Sequence, residues 1–277
     1  MGRNKLPSNS SELFKRFSRP GSISSYEKEL SSAQSVSIPL FMIDDNPFTK
    51  HAEIAPEIVE RFAESVARKG VFVPLVVRKN TMRYEIVFGR KRYYSARRLK
   101  HNDVPCYVID ADDEKALLML LADIRDQKDS SIVEFAYVFK ALSEDYGYSQ
   151  ADLATISHQS RSQVTNTMRL LKLPDSILQQ VSRGELSYGH ARAVETLDEK
   201  NQFLAVSLIH DGNLSVRDTE ALAKKLLSNP NALDRPDDEV LKEKFDSEIV
   251  IINGKNVVFS FASDKERDAF IERLKKL

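Results

Sequence analysis

Hydrophobic and polar positions follow two regimes along this chain. Between Ile38 and Ile109 the apolar residues come in short runs bounded by turn residues. Ile38–Ile43, Val71–Arg78, Arg83–Phe88 and Val104–Ile109 read as strands. Helices interrupt them: Pro56–Lys69 carries Ile58, Val59, Phe62 and Val66 on one side with Gly70 as its stop, and Gly89 opens a basic helix to about Lys100. From Glu114 to Leu227 the spacing is helical throughout. Ser131 with Glu134, Ser149 with Asp152, and Ser160 with Gln163 mark helix starts of the capping-box kind, and Gly147 and Pro174 mark stops. The tail alternates again: Glu248–Ile252 and Asn256–Phe261 flank an Asn253-Gly254 hairpin signal, and Ser263–Leu277 closes as an amphipathic helix. The pattern predicts an α+β, multidomain chain: an arm over 1–35, a small α/β domain over 36–125, an all-helical domain over 126–227, a linker over 228–246 and a short ββα unit over 247–277.

Within the helical part, Ser149 to Leu173 has the pattern of a helix-turn-helix. Leu153, Ala154 and Ile156 point the first helix inward, and the chain turns at Ser157, His158 and Gln159. Val164, Met168 and Leu171 give the second helix an apolar stripe. Many such turns place Gly at a positive φ; His158 takes that position here. The opposite face carries Arg161, Ser162, Gln163, Thr165, Asn166 and Arg169, side chains that hydrogen-bond base edges and phosphates. An ordinary buried hairpin would not leave that face free of Asp and Glu.

Charge sharpens the picture and composition narrows it. Lys and Arg number 41 against 41 Asp and Glu, for a net charge of zero, yet the charges are segregated. Between Arg68 and Lys100 only Glu85 opposes a dense basic run, while acid collects at Asp44–Glu64, Asp110–Asp129 and Asp234–Glu243. The 277 residues suit about two domains, and 42% hydrophobic content is enough to bury cores. A lone Cys106 excludes a disulfide scaffold and a Cys-type zinc site, and points to a reducing cytoplasm. No apolar run reaches the ~18–20 residues of a membrane span, and the basic start has no apolar core of a signal peptide behind it. No Gly-x-Ser-x-Gly, His-Glu-x-x-His or metal-ligand spacing occurs, so hydrolase and metalloenzyme readings lack a foothold.

Three ordered blocks resemble the ParB/Noc family of DNA-partition proteins. They are Gly89-Arg90-Lys91-Arg92-Tyr93-Tyr94-Ser95-Ala96, then Ser160-Arg161-Ser162-Gln163-Val164-Thr165-Asn166 with Leu170-Leu171-Lys172-Leu173-Pro174 behind it, and Gly184-Glu185-Leu186-Ser187-Tyr188-Gly189-His190-Ala191-Arg192-Ala193. The resemblance covers roughly Ile38 to Asp198. It implies a ParB-type N-terminal domain, a helix-turn-helix domain and a C-terminal dimerisation unit. It also implies a protein that binds a palindromic, centromere-like site in double-stranded DNA, clamps and spreads using CTP, forms a homodimer, and works with a ParA-type ATPase on the nucleoid. The implied DNA-binding set adds Ser160, Lys172, His190 and Arg192 to the polar face of the second helix. A single His near a helix start is, by itself, more often a packing or capping residue.

The same resemblance places a triphosphate at Gly89, Arg90, Lys91 and Arg92. Gly89 admits close backbone approach, the free N–H groups of a helix start favour anions, and Lys91 and Arg92 add charge. Without a polyanion nearby, triphosphate or DNA phosphate, that cationic cluster is expected to repel itself. The chain departs from the family here. Arg90 stands where the family has Glu, Ala122 replaces a carboxylate, and Asp123 replaces an Asn. Asp123 remains as an oxygen ligand for Mg²⁺, and Arg125 with Asp126 forms a structural pair. Bound CTP with Mg²⁺ is therefore expected to turn over slowly or not at all. Two other readings share these motifs: a ParB-derived transcriptional regulator or nucleoid-occlusion protein, and an active CTPase or nuclease.

Overall fold

The computed structural model describes residues 34–127, 130–212, 214–229, 249–253, 256–261 and 263–275. The described chain divides into two compact units, one running through Tyr188 and the other from Gly189 onward. Most of the predicted arm and linker, and Gly254 of the predicted hairpin turn, lie outside the described residues.

The first unit opens on a five-stranded sheet. β1 (Val36–Pro39), β2 (Ile43–Asp44), β3 (Leu75–Asn80), β4 (Arg83–Phe88) and β5 (Asp103–Ile109) lie in the order β1-β5-β3-β4-β2. β1–β5 and β3–β4 pair antiparallel, and β3–β5 and β2–β4 pair parallel. The single strand expected over Ile38–Ile43 is two. Pro39 has no N–H to extend its ladder, the chain tightens into a 3₁₀ turn at Leu40–Met42, and β2 joins the opposite edge of the sheet. The strand expected from Val71 begins only at Leu75, because Gly70 sits at φ 68° and Pro74 again lacks a donor.

Alternation along the strands sends side chains to two cores. Leu75, Val77, Ile86, Val104 and Cys106 face one side with Tyr93 and Ala96 of α2 (Arg90–Arg98). Val76, Val87 and Phe88 face the other. There they meet α3 (Asp113–Asp126), whose residues from Ala116 to Ile124 are all buried. A helix apolar on every side must be covered on every side. The sheet covers α3 on one flank, and Phe135, Val138, Phe139 and Leu142 of α4 (Ile132–Tyr146) cover it on another. The same core continues through Leu153 and Ile156 to Val164, so the sheet and the helical pair beyond it share one interior. α1 (Pro56–Lys69) packs beside α2.

The rest of the first unit is α5 (Gln150–Ser157), α6 (Arg161–Arg169) and α7 (Asp175–Arg183), followed by the first residue of α8 (Tyr188–Val194). The second unit holds the remainder of α8, α9 (Glu199–Gly212), α10 (Val216–Ser228), the antiparallel hairpin β6 (Ile249–Asn253) and β7 (Asn256–Ser260), and α11 (Asp264–Leu274). Phe270 of α11 is buried against Phe259 and Phe261, with ring centroids 4.9 and 5.0 Å apart. The side chains of Ile249, Ile251, Val257 and Leu274 lie outside the described residues. No described helix is long and apolar enough to cross a membrane.

Candidate functional site

The first site is the α5–α6 pair. Both helices begin at complete capping boxes. Ser149 Oγ accepts from Asp152 N, and Asp152 returns a carboxylate oxygen to Ser149 N. Ser160 Oγ accepts from Gln163 N at 3.2 Å, while Gln163 Oε1 accepts from Ser160 N at 2.8 Å. His158 carries the turn between them at φ 56°, in the left-handed region expected for it. α6 packs on α4 with Val164 and Thr167 buried, and Leu170 is buried just beyond. The sequence pattern places Leu171 on the buried stripe. The chain tightens into a 3₁₀ turn after Arg169, which rotates Leu170 inward instead.

Arg161, Ser162, Gln163 and Lys172 are exposed, and Thr165, Asn166 and Arg169 half-buried. Three of these side chains also bond within the motif, Ser162 Oγ lying 3.2 Å from Ser160 Oγ. Gln163 lends its amide oxygen to the cap. Thr165 Oγ1 donates to Gln150 Oε1 at 2.8 Å and lies 2.9 Å from Arg161 O, tying α6 to the start of α5. His190 and Arg192 belong to the second unit and are engaged within it. His190 Nε2 is 2.9 Å from Leu214 O, and Arg192 pairs with Glu220 at 2.9 Å. Gly189 beside them allows a close approach: a Cβ there would lie 2.8 Å from Val216 Cγ2. This block thus fastens α8 to the start of α10, the packing reading that a single His near a helix start favours.

The second site is a cavity of about 570 Å³ lined by α1, the Gly70–Val73 loop, the start of α2 and the face of α3. Gly89 caps α2 at φ 105°, and a Cβ there would meet Arg92 Nη2 at 3.4 Å and Leu75 at 3.5 Å. No side chain caps this helix, so its first N–H groups face outward from the helix start. Lys69, Lys91 and Arg92 line the cavity with them.

The expected repulsion among Arg90, Lys91 and Arg92 is relieved from within. Arg90 is buried and grips Asp45 with two hydrogen bonds, of 2.8 and 3.0 Å. Its Nη1 reaches Glu134 Oε1 at 2.8 Å and Ala52 O at 3.1 Å. Burial opposes the charge on Arg90, but Asp45 and Glu134 outweigh it and raise its pKa. Burial would also raise Asp45, yet the bonds from Arg90 and Tyr94 hold its carboxyl below the usual range. Lys91 Nζ donates to Gln127 Oε1 at 2.8 Å, and Gln127 Nε2 donates to Asp123. Arg92 donates to the carbonyls of Val73 and Pro74 at 2.6 and 2.7 Å, and burial lowers its pKa, partly offset by Asp123. Burial pushes Asp123 up to about 6 against the pull of Gln127, Arg92 and Lys91.

Pairing also accounts for part of the wider basic run. Arg83 meets Asp44, Arg98 meets Glu60, and Arg78 meets Glu85 and Asp113. The acid stretch near Asp44 and the basic stretch near Gly89, separate in sequence, face each other in space. Arg125 and Asp126 form the expected pair at 2.8 Å. Gln127 and the Gly70–Val73 loop line the cavity, and Asp45 holds Arg90 from behind it; none of them is in the sequence-based set. Asp45 sits in a recognisable turn, but nothing in its local pattern signals a bond to a residue 45 positions away.

The two carboxylates that line the cavity, Asp123 and Glu134, are already engaged within the protein rather than presented to Mg²⁺. No group of three or more His, Cys, Asp or Glu side chains that could hold a metal occurs among the described residues. Asp123 is bonded to Gln127, and Glu134 is held by Arg90.

Comparison with known proteins follows the same two regions. The model of the ParB N-terminal domain matches residues 24–123, and that of the ParB HTH domain matches residues 128–228. The chain is 34% identical over 243 residues to the chromosome-partitioning protein Spo0J of Thermus thermophilus, covering 86% of this chain and 90% of that one. It is 30% identical over 222 residues to the probable chromosome-partitioning protein ParB of Campylobacter jejuni, covering 79% and 80%. A solved structure of C-terminally truncated ParB from Caulobacter crescentus, complexed to the centromeric parS site, is 32% identical and covers 69% of this chain and all of that one, at a TM-score of 0.41. The same protein complexed with CTP-γ-S is 31% identical and covers 70% and 98%, at a TM-score of 0.32.

Proposed function

The chain belongs to the ParB family of chromosome-partitioning proteins, and from that membership we propose how its parts divide the work of partition. It is a sequence-specific DNA-binding protein that docks α6 in the major groove of a palindromic, centromere-like site. The observation that carries this reading is the doubly capped α5–α6 pair with Arg161, Ser162 and Asn166 on its outward side. Arg161 and Asn166 make base contacts, Arg169 and Lys172 meet phosphates, and Ser160, Gln163 and Thr165 act first by holding the helix in presenting geometry. His190 and Arg192 support binding by fixing α8 to the start of α10.

A homodimer supplies two such helices to the two half-sites. The hairpin β6–β7 with α11 is too small to be stable alone, so a second copy completes it. The cavity at Gly89, Lys91 and Arg92 takes CTP as an effector of clamping, with the cradle at Gly89 admitting phosphate against the helix start. Residues 1–35 engage a ParA-type ATPase, and the protein works in the cytoplasm on the nucleoid.

Footprinting of the purified protein across the DNA around its own gene tests the core of this reading. A protected palindrome that binding loses on Arg161→Ala is the expected result. Truncation near Asp237 is expected to convert a dimer into a monomer by light scattering; an unchanged dimer mass would reject the dimerisation assignment.

A further inference from the structure

We infer that the cavity binds its triphosphate without a divalent cation, because Arg90 already performs the bridging that a metal would. The inference rests on the reading of the cavity as a nucleotide site.

A divalent ion in a phosphate site does two things. It joins carboxylates from separate elements, and it shields them from the phosphates. Here one buried guanidinium does the joining. Its Nε and Nη2 hold Asp45, which precedes the sheet's central strands, and its Nη1 holds Glu134 in the first turn of α4. The contact to Ala52 O adds a third segment. The guanidinium is only 5% exposed, so water does not compete for these bonds. A hydrated Mg²⁺ seeking octahedral oxygens would have to displace Arg90 from Glu134 and Gln127 from Asp123. With Arg90 offset by Asp45 and Glu134, Lys69, Lys91 and Arg92 line the cavity against Asp123, so the positive charge facing a triphosphate comes from the protein.

The direct test is titration of the full-length protein with fluorescent CTP, once in EDTA and once in excess Mg²⁺. The two dissociation constants are expected to agree within about threefold, whereas a loss of about tenfold or more on chelation would overturn the inference while leaving the cavity a nucleotide site. No binding in either condition would overturn the nucleotide reading and this inference with it. A second arm uses Arg90→Glu, which places three carboxylates together with no internal cation. Mg²⁺ is expected to raise the melting temperature of this variant and leave wild type unmoved. An equal response of the two proteins would contradict the substitution of guanidinium for metal.

Discussion

The recognition helix and the cavity are built from the same kinds of side chain and use them in opposite ways. On α6, Arg161 and Ser162 stand in solvent, and the bonds made by Gln163 and Thr165 stay within the motif. At the start of α2, Arg90 is enclosed and its side-chain bonds all leave its own helix, for Asp45, Ala52 and Glu134. Exposed ion pairs contribute about 0–1 kcal/mol, whereas removing one partner of a buried pair costs about 3–5 kcal/mol. Arg90 is therefore part of the fold, and Arg161 is available to a partner. The type of residue does not distinguish these fates; burial does.

Breaking the buried side of the comparison has the largest expected effect. Arg90→Ala leaves Asp45 and Glu134 enclosed without their cation and is expected to lower unfolding stability by about 3–5 kcal/mol in a urea titration. A loss similar to that from an exposed arginine, such as Arg161→Ala, would erase the distinction.

Asp123→Asn acts in the other direction. Asp123 titrates near 6 in the folded protein and near 3.8 when unfolded, so between these values the folded state holds the extra proton. Stability contributed by that proton is complete below about pH 4 and lost as pH rises through 6. The Asn variant should be more stable than wild type by on the order of 1–3 kcal/mol at neutral pH, with the gain vanishing toward pH 4. A pH-independent difference would contradict the assignment of Asp123 as the strained group.

The smallest effect separates holding from reading on α6. Gln163→Ala should cost about 0.5–1 kcal/mol of stability through the lost cap. Gln163→Glu keeps the capping oxygen, and so the stability, while setting a negative charge beside DNA phosphate. Weakened DNA binding in a fully stable Gln163→Glu variant is the expected outcome; unchanged binding would remove Gln163 from the interface.

What could be read from the chain beforehand was local. The capping boxes at Ser131, Ser149 and Ser160, the stop at Gly147 and the left-handed turn at His158 are set by neighbours within four residues, and each stands as expected. Departures occur where distant partners decide. Pro39 divides a strand between two sheet edges, a choice made by β5 and β4 rather than by the run itself. The basic run around Gly89 reads as an unbalanced patch until folding brings Asp44, Asp45 and Glu60 against it. Gly189 matches a motif, but only Val216, which its missing side chain lets approach, explains the need for glycine.

The central claim is that α6 reads DNA sequence. Fluorescence anisotropy with the protected palindrome and a scrambled duplex, at one salt concentration, tests it most directly in wild type and Arg161→Ala. Loss of about 1–3 kcal/mol for the palindrome, with the scrambled duplex much less affected, is the predicted result. Equal losses on the two duplexes, or none on either, would contradict it.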